Sequence, residues 1–206
     1  MSTLSIESVA KPSVHRVTPE ELLAMPDSVR YELVDGQLVE RNMGTESSWI
    51  GGELLGFVRD FIREHRLGWV LPADASYKCF PDSPDKVRKP DVSFIRFGRL
   101  PGERLPLGHC PIAPDLAVEV VSPNDLAYEV DEKVEEYLRV GVQLVWVVHP
   151  NIRTVFVYRP DGTFALVRQS DQLSGGVVVP GFSCAVRDLF PPEGIVQAPA
   201  GANVVP

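Results

Sequence analysis

The sequence predicts a single α/β domain of the α+β kind, in which a mixed β-sheet is flanked by helices. The chain has 206 residues, of which 44% are hydrophobic and 23% charged, as is ordinary for one globular domain. Short apolar runs typical of strands alternate with two longer segments of helical periodicity. We assign residues 18–190 to this domain, between a flexible leader at residues 1–17 and a Pro-, Gly- and Ala-rich flexible tail at residues 191–206.

The first elements are a short helix and a hairpin. Thr18 can cap the helix and Pro19 suits its first turn. Asp35-Gly36 separates two short apolar-rich runs, which is a strong hairpin signal. A helix is expected over residues 47–66, with Gly68 as its end. Its apolar positions recur at helical spacing, at Ile50, Leu54, Phe57, Val58 and Phe61.

A second helix is expected from Ser122 to about Val140, because Ser122 and Asp125 have the spacing of a capping box and Gly141 can end the helix. A short closing segment follows at residues 186–190. The apolar runs that predict the remaining strands are residues 69–71, 75–80, 91–96, 116–121, 143–148, 154–158, 164–168 and 177–179.

Charge and cysteine content limit the class of protein. A net charge of −8 argues against a broad, passive nucleic-acid coat, although residues 86–104 are locally basic and read equally as a phosphate-binding patch or as a solvated loop. The cysteines Cys79, Cys110 and Cys184 form no CxxC pair, so we expect neither a zinc site nor disulfides. The chain shows no signal peptide and no apolar run long enough for a membrane span, and we expect a cytoplasmic protein.

The residue that points to chemistry is Glu119, a carboxylate inside the apolar run 116–121. A buried strand carboxylate is costly unless a partner compensates it, and a buried ion pair or a solvent-facing edge position would also explain it. Asp91 opens another strand 28 residues earlier, after Pro90. Two carboxylates that face one cavity repel each other, and a divalent cation such as Mg²⁺ would relieve that repulsion. The alternative for Asp91 is a plain turn residue.

These residues carry a resemblance to a known family. Pro90-Asp91 followed by Glu119-Val120-Val121 resembles the Pro-Asp…(Asp/Glu)-X-Lys signature of the PD-(D/E)XK, restriction-endonuclease-like superfamily. More narrowly, the chain is similar to the Uma2 family of nucleases, also called DUF820, over roughly residues 18–190. The matching blocks are residues 31–36, 89–94 and 114–123, continued by Lys133, Tyr137, Gly141-Val142 and Trp146.

The resemblance implies a restriction-endonuclease-like core and an endonuclease that hydrolyses phosphodiester bonds in nucleic acid, with DNA as the expected substrate. It implies Mg²⁺ as the cofactor, with Mn²⁺ as an alternative, held by Asp91 and Glu119. Glu32 is either a third member of the metal site or a strand-edge carboxylate. A homodimer is expected by analogy with nucleases of this fold.

The sequence departs from the superfamily pattern at Val121, where the lysine is expected. The family resemblance implies that Lys133, on the following helix, takes that role. The alternative is an exposed lysine paired with Glu129. The helix around residues 47–49 also lacks a histidine common in the family, so a nuclease-fold protein that binds or regulates without cutting is the competing interpretation. Tyr77 and Lys78 are further candidates to line the same cleft.

Overall fold

A computed structural model describes residues 16–42 and 44–192 of the chain. The predicted flexible leader and tail lie almost entirely outside these described residues. The described part contains the helices and strands α1 (Pro19–Ala24), β1 (Tyr31–Val34), β2 (Gln37–Glu40), α2 (Thr45–His65), β3 (Gly68–Pro72), β4 (Val92–Arg96), β5 (Leu116–Val120), α3 (Ala127–Arg139), β6 (Leu144–His149), β7 (Thr154–Tyr158), β8 (Phe164–Arg168), β9 (Gln172–Ser174) and β10 (Ser183–Ala185).

The main sheet has six strands in the order β3-β4-β5-β6-β7-β8. Strands β5 and β6 are parallel and are joined through α3, whereas every other neighbouring pair in this sheet is antiparallel. Two small antiparallel pairs, β1 with β2 and β9 with β10, lie beside it. This arrangement confirms the predicted α/β class and the mixed sheet flanked by helices.

The sheet separates two apolar layers, and β5 contributes to both because successive strand residues face opposite sides. Leu116, Val118 and Val120 pack on the α2 side, whereas Ala117 packs on the α3 side. Glu119 shares the face of Ala117 and therefore points towards α3. A central strand that is buried on both faces explains the nearly continuous apolar run that the sequence shows here.

The first elements form as their local sequence predicts. Thr18 and Glu21 cap α1 reciprocally, with the Glu21 amide donating to Thr18 Oγ1 (3.2 Å) and the Thr18 amide to Glu21 Oε2 (2.7 Å). The β1–β2 hairpin turns at Asp35 and Gly36, which both have positive φ, 51° and 78°. Two adjacent positive φ angles define the type I′ turn that Asp-Gly favours.

Gly68 does not end α2 as predicted. The helix ends at Arg66, whose φ of 53° places it in the left-handed region. Gly68 instead begins β3, where it lies against β4. A Cβ there would approach the Ile95 carbonyl oxygen to 2.1 Å, so the position requires glycine for close packing of the two strands.

Three other predicted elements are wrong. Residues 75–80 form no strand, and Tyr77 makes only isolated bridges to neighbouring segments. Residues 177–179 are a turn between β9 and β10. The contact between Ser122 and Asp125 forms, with the Ser122 amide donating to Asp125 Oδ2 at 2.7 Å, but it closes a turn before α3, which begins at Ala127.

The closing segment is a 3₁₀ turn, Val186–Leu189. All three cysteines are free, as predicted. Among the described residues, no helix combines the length and apolar character that a membrane span needs.

Candidate active site

The expected site residues lie where the end of β5 meets the start of β4, α3 and the β1–β2 hairpin. A cleft of about 240 Å³ has Glu32, Glu119 and Lys133 in its walls. A second cleft of about 230 Å³ lies against α2 and contains Asp91. Arg41, Asn42 and Val120 line both clefts, so the two clefts adjoin. The structure therefore brings all four expected residues to one end of the sheet, with Asp91 in one cleft and the other three in the adjoining one.

Glu119 is 7% exposed and both of its oxygens accept hydrogen bonds from α3. The Tyr137 hydroxyl donates to Oε1 at 2.6 Å, and the Lys133 ammonium donates to Oε2 at 3.2 Å. Tyr137 follows Lys133 by four residues, so one face of the helix presents both donors to the strand. The buried strand carboxylate thus has its partners on the neighbouring helix.

Lys133 bridges two carboxylates. Its Nζ lies 3.2 Å from Glu119 Oε2 and 3.3 Å from Glu32 Oε2. Burial favours a lower pKa for Lys133, but the charges of Glu119 and Glu32 outweigh that effect and raise the pKa above its ordinary value. Lys133 is therefore a protonated donor at neutral pH. It faces these acids rather than Glu129, the alternative partner that its sequence spacing allowed.

Glu32 belongs to a buried charge network. Its Oε2 accepts from Arg88 Nη1 at 3.0 Å and its Oε1 from the Lys89 amide at 2.7 Å. Arg88 also donates to Glu136 at 2.7 Å, and Lys86 pairs with the same carboxylate. Burial favours a raised pKa for Glu32, but Lys133 and Arg88 hold it at about 2. Glu32 stays ionised and has no oxygen without a protein donor.

This network corrects the interpretation of the basic segment 86–104 for residues 86–89 only, because Arg96, Arg99 and Arg104 are exposed. Lys86, Arg88 and Lys89 are 6%, 4% and 3% exposed. Two of the three cations neutralise the carboxylates of Glu32 and Glu136, and Lys89 Nζ donates to the Ser28 carbonyl. Cations that are buried and paired in this way are unavailable to a phosphate.

Asp91 is fixed at the start of β4 by backbone and side-chain contacts. Its amide donates to the Val118 carbonyl at 2.8 Å, and its Oδ2 accepts from the Val120 amide at 2.8 Å. Its Oδ1 accepts from Arg41 Nη2 at 3.0 Å. Pro90 precedes it and donates no ladder bond, so β4 begins directly after the carboxylate. Asp91 is thereby tied to the same strand, β5, that carries Glu119.

Both candidate ligands, Glu119 and Asp91, have raised pKa values. Burial and the negative charges of Asp91 and Glu32 raise the pKa of Glu119 to about 7, despite the attraction of Lys133. Burial also raises the pKa of Asp91, and its hydrogen bond from Val120 and the charge of Arg41 offset this only in part. Burial is the largest cause of both shifts, so the two carboxylates are costly to keep ionised although each has a cationic partner.

The carboxylates of Asp91 and Glu119 suit a hard divalent cation that takes few of its ligands from the protein. Within residues 16–42 and 44–192, no three His, Cys, Asp or Glu side chains gather into a metal-binding group. Mg²⁺ needs only one or two carboxylates because it keeps several of its waters, and Asp91 and Glu119 supply two carboxylates with raised pKa values.

The remaining expected positions have structural contacts. Ser47, near the place of the family's histidine, is 2.9 Å from Ser122 through their hydroxyls, which ties α2 to the end of β5. The idea that Tyr77 and Lys78 line the cleft is wrong. The Tyr77 hydroxyl contacts Ser93 at 2.6 Å in the core, and Lys78 pairs with Glu20 at 2.7 Å on the surface.

Two residues of the site were not among the predicted site residues. Tyr137 entered the sequence analysis only as a position that matches the family, although its place four residues after Lys133 was a usable signal. Arg41 follows the hairpin and has no local pattern that marks it. Its importance arises only when the hairpin folds back so that its guanidinium reaches Ala73 (2.9 Å) and Asp91 (3.0 Å).

Comparison with known proteins identifies the family and a similar fold. The Uma2 family profile, described as "Putative restriction endonuclease", matches residues 19–187. A solved structure from Anabaena variabilis, described as a "putative nuclease belonging to DUF820", has a similar fold with a TM-score of 0.70. It is 24% identical, and the match covers 84% of this chain and 97% of that one. No curated protein matches the chain significantly.

Proposed function

The chain belongs to the Uma2 family of nucleases, and from this premise we propose that it is a metal-dependent endonuclease acting on nucleic acid, with DNA as the expected substrate. The observation that carries the proposal is the position of Lys133. A lysine from α3 lies 3.2 Å from Glu119, in a site that has Val121 where the superfamily pattern places lysine. Relocation of the lysine to the helix would keep the same charge beside the same carboxylate.

Asp91 and Glu119 are the residues proposed to hold Mg²⁺ or Mn²⁺. A cation bound there would polarise the scissile phosphate and lower the pKa of a bound water. Val120 positions Asp91 through its amide, and Tyr137 positions Glu119 through its hydroxyl. These contacts fix both carboxylates before any substrate arrives, which reduces the cost of ordering them.

Lys133 is proposed to stabilise negative charge on the phosphate rather than to act as a base. Its raised pKa keeps it protonated at neutral pH, so it can donate hydrogen bonds but cannot accept a proton. Glu32 is proposed as a positioning residue, because its permanently ionised carboxylate lies 3.3 Å from Lys133 and keeps the ammonium at the cleft. Removal of one preorganised hydrogen-bond donor, such as the Lys133 ammonium, lowers the rate of the chemical step by about 10²–10³.

A second candidate function is nucleic-acid binding or regulation without cleavage. It is favoured by the closed charge pairs of the site, in which Lys133 neutralises Glu119 and Arg41 neutralises Asp91. Under this alternative the ion pairs are purely structural. No divalent cation would bind at the two carboxylates, and no metal would be needed for function.

A cleavage assay separates the two candidates. Purified protein is incubated with supercoiled plasmid, single-stranded DNA and RNA in Mg²⁺, Mn²⁺ or EDTA. We expect cleavage only with the metals, with loss of about 100-fold or more in Asp91→Ala, Glu119→Ala and Lys133→Met. Lys78→Met, which removes a surface lysine paired with Glu20, is the matched control and should cut normally.

Two results would count against the nuclease proposal. Cleavage that persists in Asp91→Ala and Glu119→Ala would remove these residues from the mechanism. A wild-type protein that binds nucleic acid but neither cuts it nor binds Mn²⁺ would favour the binding module. Circular dichroism of each variant shows whether loss of activity reflects loss of the fold.

A further inference from the structure

A second concave surface lies away from the carboxylates, between the C-terminal half of α2 and the edge strand β3. It has a volume of about 470 Å³, and we call it the α2–β3 groove. Its lining consists of Arg59, Ile62, Arg63, Arg66, Gly68, Trp69, Val70 and Phe97. Among the described residues no carboxylate lines it, although the chain as a whole carries a net charge of −8. The groove is therefore a local basic surface on an acidic protein.

The cleft that contains Asp91 lies further along the same two elements, α2 and β3. The cleft that contains Asp91 is lined on its α2 side by Ser48, Gly52 and Leu55 and on its β3 side by Pro72. On α2 these residues lead to Arg59 and Arg63 in steps of three or four residues, which keeps them all on one face of the helix. From Ser48 to Arg63 the helix rises about 22 Å, or roughly six base steps of a nucleic-acid strand.

The face of α2 between Ser48 and Arg63 is open in its middle. A Cβ placed on Gly52 or Gly56 would meet no atom within 4 Å outside its own helix. A glycine in the interior of a helix costs stability relative to alanine, so helix formation alone does not favour these positions. Their openness leaves room for a ligand along the helix surface between Asp91 and the arginines.

The guanidinium groups of Arg59, Arg63 and Arg66 are available to bind anions. In the part of the chain that the structure describes, no carboxylate lies within 4.0 Å of Arg63 or Arg66, and Arg59 has only a long contact of 3.5 Å to its neighbour Asp60. Arg59 and Arg63 are four residues apart, so their like charges repel. All three side chains are exposed. Guanidinium groups suit phosphate because they can donate two parallel hydrogen bonds.

Aromatic rings border the groove at the edge of the sheet. Trp69 packs with Leu71 and Ile95 on the face of the sheet away from α2, and the Phe97 ring meets it edge to face with centroids 5.6 Å apart. Phe97 is 40% exposed and lines the groove at this edge. A duplex presents its phosphates outward and hides its bases, so it has little use for an exposed ring. A single strand offers unpaired bases that stack on aromatic rings while a basic wall follows its phosphates.

From these observations we propose that the α2–β3 groove binds a single-stranded nucleic-acid segment that leads away from the scissile phosphate at Asp91. Arg59, Arg63 and Arg66 contact its phosphates, and the exposed Phe97 ring stacks on its bases. The proposal rests on the nuclease function for its placement of the scissile phosphate. Binding in the groove itself needs no cleavage.

The test measures binding in EDTA, where no cutting occurs. Fluorescence anisotropy follows labelled single-stranded DNA, single-stranded RNA and duplex DNA of about twelve nucleotides or base pairs. We expect a preference for single strands. The triple change of Arg59, Arg63 and Arg66 to Ala should weaken single-strand binding by about tenfold or more. It should also flatten the plot of log affinity against log salt by about 2, at roughly 0.7 per phosphate contact.

Two controls make the result specific. Changing Arg104, Arg139 and Arg159 to Ala removes the same charge from other surfaces and should leave the affinity and its salt dependence nearly unchanged. Phe97→Ala should weaken single-strand binding, whereas Leu107→Ala, at a fully exposed apolar residue elsewhere, should not. The DNA and RNA arms show which sugar the groove accepts, and tight binding of either single strand supports the proposal.

Several outcomes would overturn it. The triple variant could bind single strands as tightly as the wild type, or the control triple variant could lose as much affinity as the groove variant. A clear preference for duplex DNA that does not depend on Phe97 would also contradict the proposal. Failure of the nuclease proposal would give a different result. The wild type would then not cut nucleic acid, but the triple variant would still bind single strands more weakly than the wild type, and the groove proposal would stand.

Discussion

Replacing Glu119 by Gln should stabilise the metal-free protein at neutral and alkaline pH. The wild-type carboxyl lies in an apolar strand with the charges of Asp91 and Glu32 nearby, and these raise its pKa from 4.5 to about 7. The glutamine side chain would have a similar shape and no charge. Lys133 would keep an acidic partner in the variant, because its ammonium also lies 3.3 Å from Glu32.

The magnitude follows from the pKa of Glu119 in the two states. A rise from 4.5 to about 7 corresponds to roughly 3 kcal/mol, at about 1.4 kcal/mol per pKa unit. Because the folded-state pKa is the higher one, the neutral carboxyl is fully tolerated below pH 4.5, and stability is lost as the pH rises through about 7. The variant should therefore exceed the wild type by only about 1 kcal/mol at pH 5 but by roughly 3 kcal/mol at pH 8.

Urea denaturation of both proteins in EDTA between pH 5 and pH 8 measures this difference. Mn²⁺ at a thousandfold excess over its Kd should then reverse it at pH 8, because a cation that binds only the folded wild type stabilises it by about 4.1 kcal/mol at that concentration. A difference that is constant across pH, or a variant less stable than the wild type at pH 8, would refute this account of Glu119. The active-site carboxylate would then be a net stabilising ion pair.

Two further variants test the surrounding charges. Arg88→Met removes the common partner of two buried carboxylates and should lower the free energy of unfolding by about 3–5 kcal/mol in urea denaturation. The control Arg30→Met breaks an exposed pair and should cost about 1 kcal/mol or less. Equal losses would mean that the buried network contributes no more than a surface pair. Arg41→Met removes a positive charge 3.0 Å from Asp91 and should tighten Mn²⁺ binding by about tenfold in calorimetry at pH 8, whereas weaker binding would show that Arg41 positions Asp91 for the metal.

The sequence predicted those parts of the fold that local chemistry determines. The hairpin turn needs two residues with positive φ, and Asp35-Gly36 is the pair that tolerates them. The apolar run around Glu119 predicted a strand, which the structure confirms as β5 and pairs on both edges. The family blocks, rather than residue spacing, identified Lys133, and its contact with Glu119 could be expected only from that resemblance.

Other features depend on partners that are distant in the chain. Lys86 and Arg88 read as surface cations because the segment around them is polar and proline-rich. Their partner Glu136 lies about 50 residues away and is brought to them by α3. Strands β9 and β10 are three residues each and lack an alternating apolar pattern, so only their mutual pairing defines them. The capping contact at Ser122 formed as predicted but marked a turn, because the helix takes Leu126 as its N-cap.

The buried network explains why one lysine can serve two carboxylates with opposite properties. Lys133 lies at nearly equal distances from Glu32 and Glu119, yet the pKa of Glu32 is about 2 and that of Glu119 about 7. The difference arises because Arg88 also neutralises Glu32, whereas Glu119 has only a neutral tyrosine as its second donor. Glu32 is therefore a permanent counter-ion that holds the ammonium. Glu119 has one cation and one neutral hydroxyl as its donors, and under the proposed function its raised pKa suits a ligand that exchanges a proton for a metal ion.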